Sequence, residues 1–327
     1  MKTGAASGAA GGYTAGMIRG KATMKAAADY VFRVIKDAVR FWLEANAVSY
    51  AGALAFFTLF SIAPVVILAV QVIGLVMSTD AAMARIMAQL QETIGPDAAE
   101  TVRTAVAANQ IDQGGILPTL IGLGAMVVGA TTVFAQMQRS LNNVWDIAPR
   151  PSRNTILALL KSRLMSLTVV LSIGFVLMVS LFLSVVLQAI MVFARDWLPI
   201  PAGLVVGLET VISVGVVTLL FATIFKVLPD AVLRWKDVIS GALVTALLFI
   251  LGRFLIAFYL SHTATASTYG AAGSLVLLLL WVYYSSLILL FGAAITRAHT
   301  EARGITIRPS RAAVRVHRQM LEDPAGP

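Results

Sequence analysis

Two ionisable residues stand inside long apolar runs: Glu209, within about Gly203–Phe225, and Arg253, within about Val238–Leu260. A charge in hydrocarbon is expensive, so each marks a candidate site. At 1.5 Å per residue both lie at a depth of about 10 Å from the same side, close enough to pair. Such a pair either locks two helices together or acts as a gate or substrate contact. Ser61-Ile-Ala-Pro64 adds a second feature. A proline within a helix removes one backbone hydrogen bond and kinks the helix, and interrupted helices line many transport sites. A third is a small or polar stripe at helical spacing, Gly122, Ala125, Gly129, Thr132 and Gln136. It suits close helix packing, or the lining of a water-filled path.

Catalytic chemistry has no comparable foothold. The chain has no cysteine, which excludes Cys-ligated zinc and iron–sulfur centres. His262, His299 and His317 are far apart in sequence, and no metal site is expected. Gly20-Lys21-Ala22 lacks the upstream glycine and the Ser/Thr of a phosphate-binding loop. GxSxG, HExxH and a paired-carboxylate cluster are missing too. No catalytic residue and no cofactor is expected; the chain does not read as an enzyme, and it cannot work alone as an ATP-driven pump.

The elements that must position these residues follow from composition. Of 327 residues 58% are hydrophobic and 13% are charged, where soluble domains carry about 25% charged residues. The mean hydropathy of +0.85 points to a bilayer. Six spans of about 20 apolar residues are predicted, at about Ala51–Val76, Ile116–Met137, Leu164–Phe193, Gly203–Phe225, Val238–Leu260 and Ser274–Ile295. The expected fold is all-α, a polytopic membrane protein of six transmembrane helices with both termini cytoplasmic. Orientation comes from the net charge of +9: 21 of the 25 Lys/Arg fall on one side of the six spans.

Residues 1–21 read as a disordered Gly/Ala-rich tail, 22–300 as the membrane domain and 301–327 as a basic cytoplasmic tail. Within 22–46, Val31, Ile35, Ala38 and Trp42 recur at helical spacing among basic residues. This suits an amphipathic helix on the cytoplasmic leaflet, or an extension of the first span. Met83, Ile86, Met87, Leu90 and Ile94 predict one outer-loop helix, and Pro96 opens a second. A short helix is expected at Arg311–Leu321. Phe56, Thr58, Phe60 and Pro64 match Phe221, Thr223, Phe225 and Pro229 in spacing, a weak hint of an inverted repeat.

Several motifs agree in order and spacing with one family. Ala53-Leu-Ala-Phe-Phe-Thr-Leu-Phe-Ser-Ile-Ala-Pro64 comes first, then Arg139-Ser-Leu-Asn-Asn-Val-Trp145 with Asn142. Leu228-Pro229-Asp and Arg234-Trp-Lys-Asp237-Val-Ile-Ser-Gly241-Ala follow, then Phe258-Tyr259-Leu-Ser. Tyr269-Gly270-Ala-Ala-Gly273, Trp281-Val-Tyr and Gly292-Ala complete the set. Over about residues 40–300 the chain resembles the YihY/virulence factor BrkB family. The resemblance implies six spans with cytoplasmic ends. It also exposes a departure: Ala294 stands where the family usually has an acidic residue. Some members carry a ribonuclease label, which no residue cluster here supports.

The expected function is that of a bacterial inner-membrane protein, transporter- or permease-like, for an amphiphilic or lipid-like substrate. The alternative is a non-transporting scaffold or envelope-integrity factor. The expected partners are the lipid bilayer and anionic lipid at the cytoplasmic face, with no nucleic acid.

Overall fold

A computed structural model describes residues 28–74, 77–108, 116–150, 202–262 and 271–316; at some positions within them, Glu209 and Tyr259 included, the backbone alone is described. The 1–21 tail, the span predicted at 164–193, and Tyr269 and Gly270 lie outside these residues.

Helix α1 (28–44) ends at a turn over Ala45 and Asn46, where Asn46 takes a φ of 50°. Asparagine enters this left-handed region more readily than most residues. The chain therefore turns before α2 (Ala47–Gly74), and α1 is a separate helix, not an extension of the first span. It has three faces. Val34, Ala38, Phe41 and Ala45 are buried, whereas Val31, Phe32, Ile35, Val39 and Leu43 are exposed. Arg33, Lys36, Asp37, Arg40 and Glu44 fall on the third face. One side packs on protein, one is apolar and one is charged, the pattern of a helix lying in a membrane interface.

Among the described residues, four helices contain stretches long and apolar enough to cross a membrane: α2, α6 (Ala202–Val227), α7 (Trp235–His262) and α8 (Ala271–Ala302). They match the first, fourth, fifth and sixth predicted spans. Helix α5 (Ile116–Val144) occupies the place of the second. Contacts run in a row, α5 on α2, α2 on α8, α8 on α7 and α7 on α6, which leaves α8 in the middle.

The predicted outer-loop helices form at one end of this bundle. Helix α3 (Thr79–Ile94) starts at Ser78, whose hydroxyl accepts the Ala81 N–H, and stops at Gly95 with φ 86°. Helix α4 (Pro96–Ala108) begins on its proline, where the missing N–H costs nothing. Val102 and Val106 of α4 and Met87 of α3 share a buried cluster with Val66 and Val70 of α2 and Leu278 of α8.

The opposite end carries strands. β1 (Ile147–Pro149) pairs antiparallel with β4 (Ala313–Arg315), and β2 (Ala231–Val232) with β3 (Arg308–Pro309). The helix expected from Arg311 is thus replaced by a strand over its described part. The segment turns at Gly304, with φ 71°, and folds back to bury Ile307 and Ala313 in the main core. Two open edges, β1 after α5 and β2 after α6, supply backbone partners that helical periodicity does not reveal.

The repeat hint finds no parallel in surroundings. Phe56 and Phe60 are exposed on α2, whereas Phe221 and Phe225 are buried. Pro64 lies inside a helix and Pro229 in the turn after one.

Candidate functional site

The strand end concentrates the polar chemistry of the described residues. Arg297, on the last turns of α8, is only 9% exposed. Its guanidinium lies 2.7 Å from the Asp146 carboxylate and 3.1 Å from that of Glu301. It also donates to the Val144 carbonyl at 2.7 Å and stacks on the Phe41 ring at 4.0 Å. Asp146 sits in the turn ending α5, at φ 52°. Nearby, the Asn143 amide donates to the Ala45 carbonyl at 2.6 Å, holding the α1–α2 turn. Thus α1, α5 and α8 are fastened through two turns and one cation. A buried cation is tolerable only when paired and hydrogen-bonded in this way.

A second fastening joins α5 to the loop after α6. The Asn142 amide donates to the Asp230 carboxylate at 2.9 Å, and the Asp230 N–H returns a bond to the Asn142 carbonyl at 2.9 Å. Gln138 donates to the same carboxylate at 3.3 Å. Pro229 fixes the turn just before it. The Asp230 carbonyl then accepts from Ser310, which ties in β3.

Asp237 forms the third group. Its side chain is 6% exposed and accepts from the Arg234 N–H at the start of α7, a capping role. The guanidiniums of Arg303, at 3.5 Å, and Arg234, at 3.9 Å, share this carboxylate. Asp237, Arg234, Thr300 and Arg308 line a cleft of about 490 Å³, with Leu233 and Ile305 among its apolar walls.

Between α7 and α8 the packing is closed. A Cβ on Gly241 would overlap the Thr296 hydroxyl and the Gly292 carbonyl, and one on Gly292 would overlap the Thr245 hydroxyl. Each glycine thus receives a threonine from the facing helix, at the position four residues after the partner glycine. Thr245 and Thr296 return their hydroxyl protons to the Gly241 and Gly292 carbonyls. Ala294, where the resemblance calls for an acid, is fully buried. Gly252 similarly admits the Tyr284 ring, whose hydroxyl donates to the Leu248 carbonyl at 3.0 Å.

The intramembrane candidates fare differently. Arg253 reaches Glu92 of α3 at 3.1 Å and lies 5.6 Å over the Phe254 ring. It sits about 27 Å along α7 from Trp235, near the far boundary of a hydrocarbon core of about 30 Å. Glu209 lies on α6, with its side chain outside the described set. Gly129 of α5 receives Pro64 of α2, whose Cγ would be 3.0 Å from an added Cβ. Ser61 and Gln136 are buried, and Gly122 lies nearer the start of α5. Gly273 is buried at the start of α8, and Trp281 is buried edge-on to Phe249 at 5.4 Å.

On α7, Trp235, Ile239, Leu243, Leu247, Leu251, Leu255 and Phe258 are all exposed. Their spacing of three or four residues makes one apolar ridge about 35 Å long. It starts at Trp235, next in sequence to Arg234 of the cleft, and ends at the level of Arg253, which lies on the opposite face of α7 toward Glu92. At the cap end Arg103 grips Glu100 with two hydrogen bonds, at 2.7 and 2.6 Å, and these hold the Glu100 carboxyl below its usual range.

Sequence reasoning missed Arg297, which counted only as an orientation charge. Its signal is local: Arg297 stands among Ala293, Ala294 and Ala298, a small-residue run where a charge has to be paired.

The positions that interlock here are those of the quoted motifs: Asn142 with Asp230, Gly241 with Gly292, and Asp237 at the head of α7. The sequence profile described as Virulence factor BrkB matches residues 38–316. A UPF0761 membrane protein of Nitrosospira multiformis is 30% identical over 81% of this chain and 60% of its own length. One of Mannheimia succiniciproducens is 25% identical over 77% of this chain and 84% of its own. One of Azoarcus is 28% identical over 75% of this chain and 58% of its own. The chain thus spans about three fifths of two of these relatives. No solved structure matches. The match covers both fastenings, the closed seam and the returning strands, and the chain belongs to the Virulence factor BrkB family of membrane proteins.

Proposed function

We propose that this protein is a multi-pass protein of the bacterial inner membrane that moves an amphiphilic, lipid-like substrate in a permease-like manner and performs no catalysis. The reading places the strand end in the cytoplasm, in line with the basic residues gathered there: Arg33, Lys36, Arg139, Arg150, Lys226, Arg234, Lys236, Arg308 and Arg311. The observation that carries it is the α7 ridge. An apolar track about as long as a bilayer is thick begins next to a basic cleft and ends at the level of the Arg253–Glu92 pair, which lies on the opposite face of α7. A polar headgroup and an apolar tail find matching surfaces on such a track, whereas an ion would need a polar path through the bundle.

The second reading, a scaffold or envelope-integrity factor, is favoured by the interlocked Gly241–Thr296 and Gly292–Thr245 seam, which suits a rigid body. Flux of a fluorescent phospholipid analogue into proteoliposomes separates the two. Transport above protein-free vesicles supports the permease, and flux equal to them supports the scaffold.

A further inference from the structure

The cleft beside α7 carries more positive charge than its own carboxylate balances. Asp237 is shared by Arg303 and Arg234, and Arg308 has no carboxylate within ion-pair distance among the described residues. Two guanidiniums therefore share one buried acid, and Arg308 lines the same cleft. The Asp237 carboxylate is also engaged by the Arg234 N–H, so its position is fixed by the helix start. Arg308 is held from the other side, because Val232 pairs with it across the β2–β3 ladder. The rim is thus cationic on two independent backbones, while the walls, Leu233, Ile305 and Ile307, are apolar. Guanidinium forks match phosphoryl oxygens in geometry and hold them with charge-assisted bonds. Trp235, exposed and next in sequence to Arg234, is the residue type that settles at a membrane–water interface.

We propose that this cleft binds a phosphate ester, with Arg234 and Arg308 on the phosphoryl oxygens and Asp237 holding Arg234 and Arg303 in place. The phosphate belongs to a lipid headgroup or to a water-soluble phosphate ester. This deepens the lipid-handling reading and rests on it for its purpose, yet binding and flux are measured separately.

The test uses the full chain in a nonionic detergent, with bound lipid counted by native mass spectrometry. The probes are phosphatidylglycerol, diacylglycerol of the same chains, and glycerol 3-phosphate as competitor. The expected result is phosphatidylglycerol retained at least tenfold better than diacylglycerol. Arg234→Gln with Arg308→Gln should abolish that preference, and Arg234→Lys should keep part of it. Arg103→Gln, the loss of one positive charge at the other end, should keep all of it. Thermal unfolding of the double variant close to that of the parent shows that the cleft and not the fold was changed. Glycerol 3-phosphate that displaces the lipid at millimolar concentration identifies the soluble ester as the ligand; no displacement identifies the headgroup. Equal retention of phosphatidylglycerol and diacylglycerol, or a preference that survives the double change, overturns the proposal. Binding without flux would leave the site standing and remove the permease, and flux without the binding preference would do the reverse.

Discussion

Arg297 and Asp146 meet at 2.7 Å where the last turns of α8 pass the turn that ends α5. The same guanidinium reaches the Val144 carbonyl and the Phe41 ring, so one cation joins α1, α5 and α8. Removing one partner of a buried ion pair costs about 3–5 kcal/mol, since the other is left uncompensated. Arg297→Gln is therefore expected to lower the thermal unfolding midpoint sharply, or to prevent accumulation of folded protein. Asp146→Asn should be milder, because Glu301 still faces the guanidinium. Equal midpoints for Arg297→Gln and the parent would refute this role.

The α7–α8 seam predicts an asymmetry. Gly292→Ala meets the Thr245 hydroxyl, while Gly241→Ala meets both the Thr296 hydroxyl and the Gly292 carbonyl. Overpacking of this kind costs about 1–3 kcal/mol. Thr245→Ala should recover part of the Gly292→Ala loss. Thr296→Ala should recover less of the Gly241→Ala loss, because a main-chain carbonyl cannot be trimmed. A double-mutant cycle on unfolding free energy reads both couplings.

Asn142 and Asp230 exchange two hydrogen bonds across the strand end. Asn142→Ala leaves the Asp230 groups short of partners, at about 1–3 kcal/mol. Asn142→Asp should be worse, since it sets two carboxylates against each other. If unfolding ranks Asn142→Asp above Asn142→Ala, the reciprocal bonding is not what fixes this loop.

The Arg253–Glu92 pair lies at the cap end, with Glu92 largely exposed. Exposed pairs contribute about 0–1 kcal/mol. Glu92→Gln should shift the midpoint by no more than a few degrees, and the same change in high salt should shift it less. A loss as large as that expected of Arg297→Gln would make the pair a principal lock of the fold.

The legible parts of this chain were those that a single helix announces. The Met83–Ile94 stripe and Pro96 gave α3 and α4, and long apolar runs gave α2, α6, α7 and α8, two of them despite a single charge. The returning strands were not legible, because β3 and β4 are two and three residues long and exist only against the edges left by α5 and α6. Arg253 stood out as a charge in an apolar run, but its nearest described carboxylate, Glu92, is 161 positions away on an amphipathic helix. Arg297 did not stand out, because it lies where apolar sequence gives way to charge. The glycines show the same limit: Gly241 and Gly292 read as motif letters, and only the facing helix gives each its threonine.

The central claim is that α7 offers a lipid-like substrate a track from beside the basic cleft to the level of Arg253. Its most direct test is the rate at which a fluorescent phospholipid analogue crosses proteoliposome bilayers holding the full chain, measured for the parent and for Arg253→Ala. The account predicts transport at least tenfold above protein-free vesicles, and a clear loss in Arg253→Ala with an unchanged unfolding midpoint. Transport equal to protein-free vesicles, or unaltered by both Arg253→Ala and the Arg234/Arg308 double change, would contradict it.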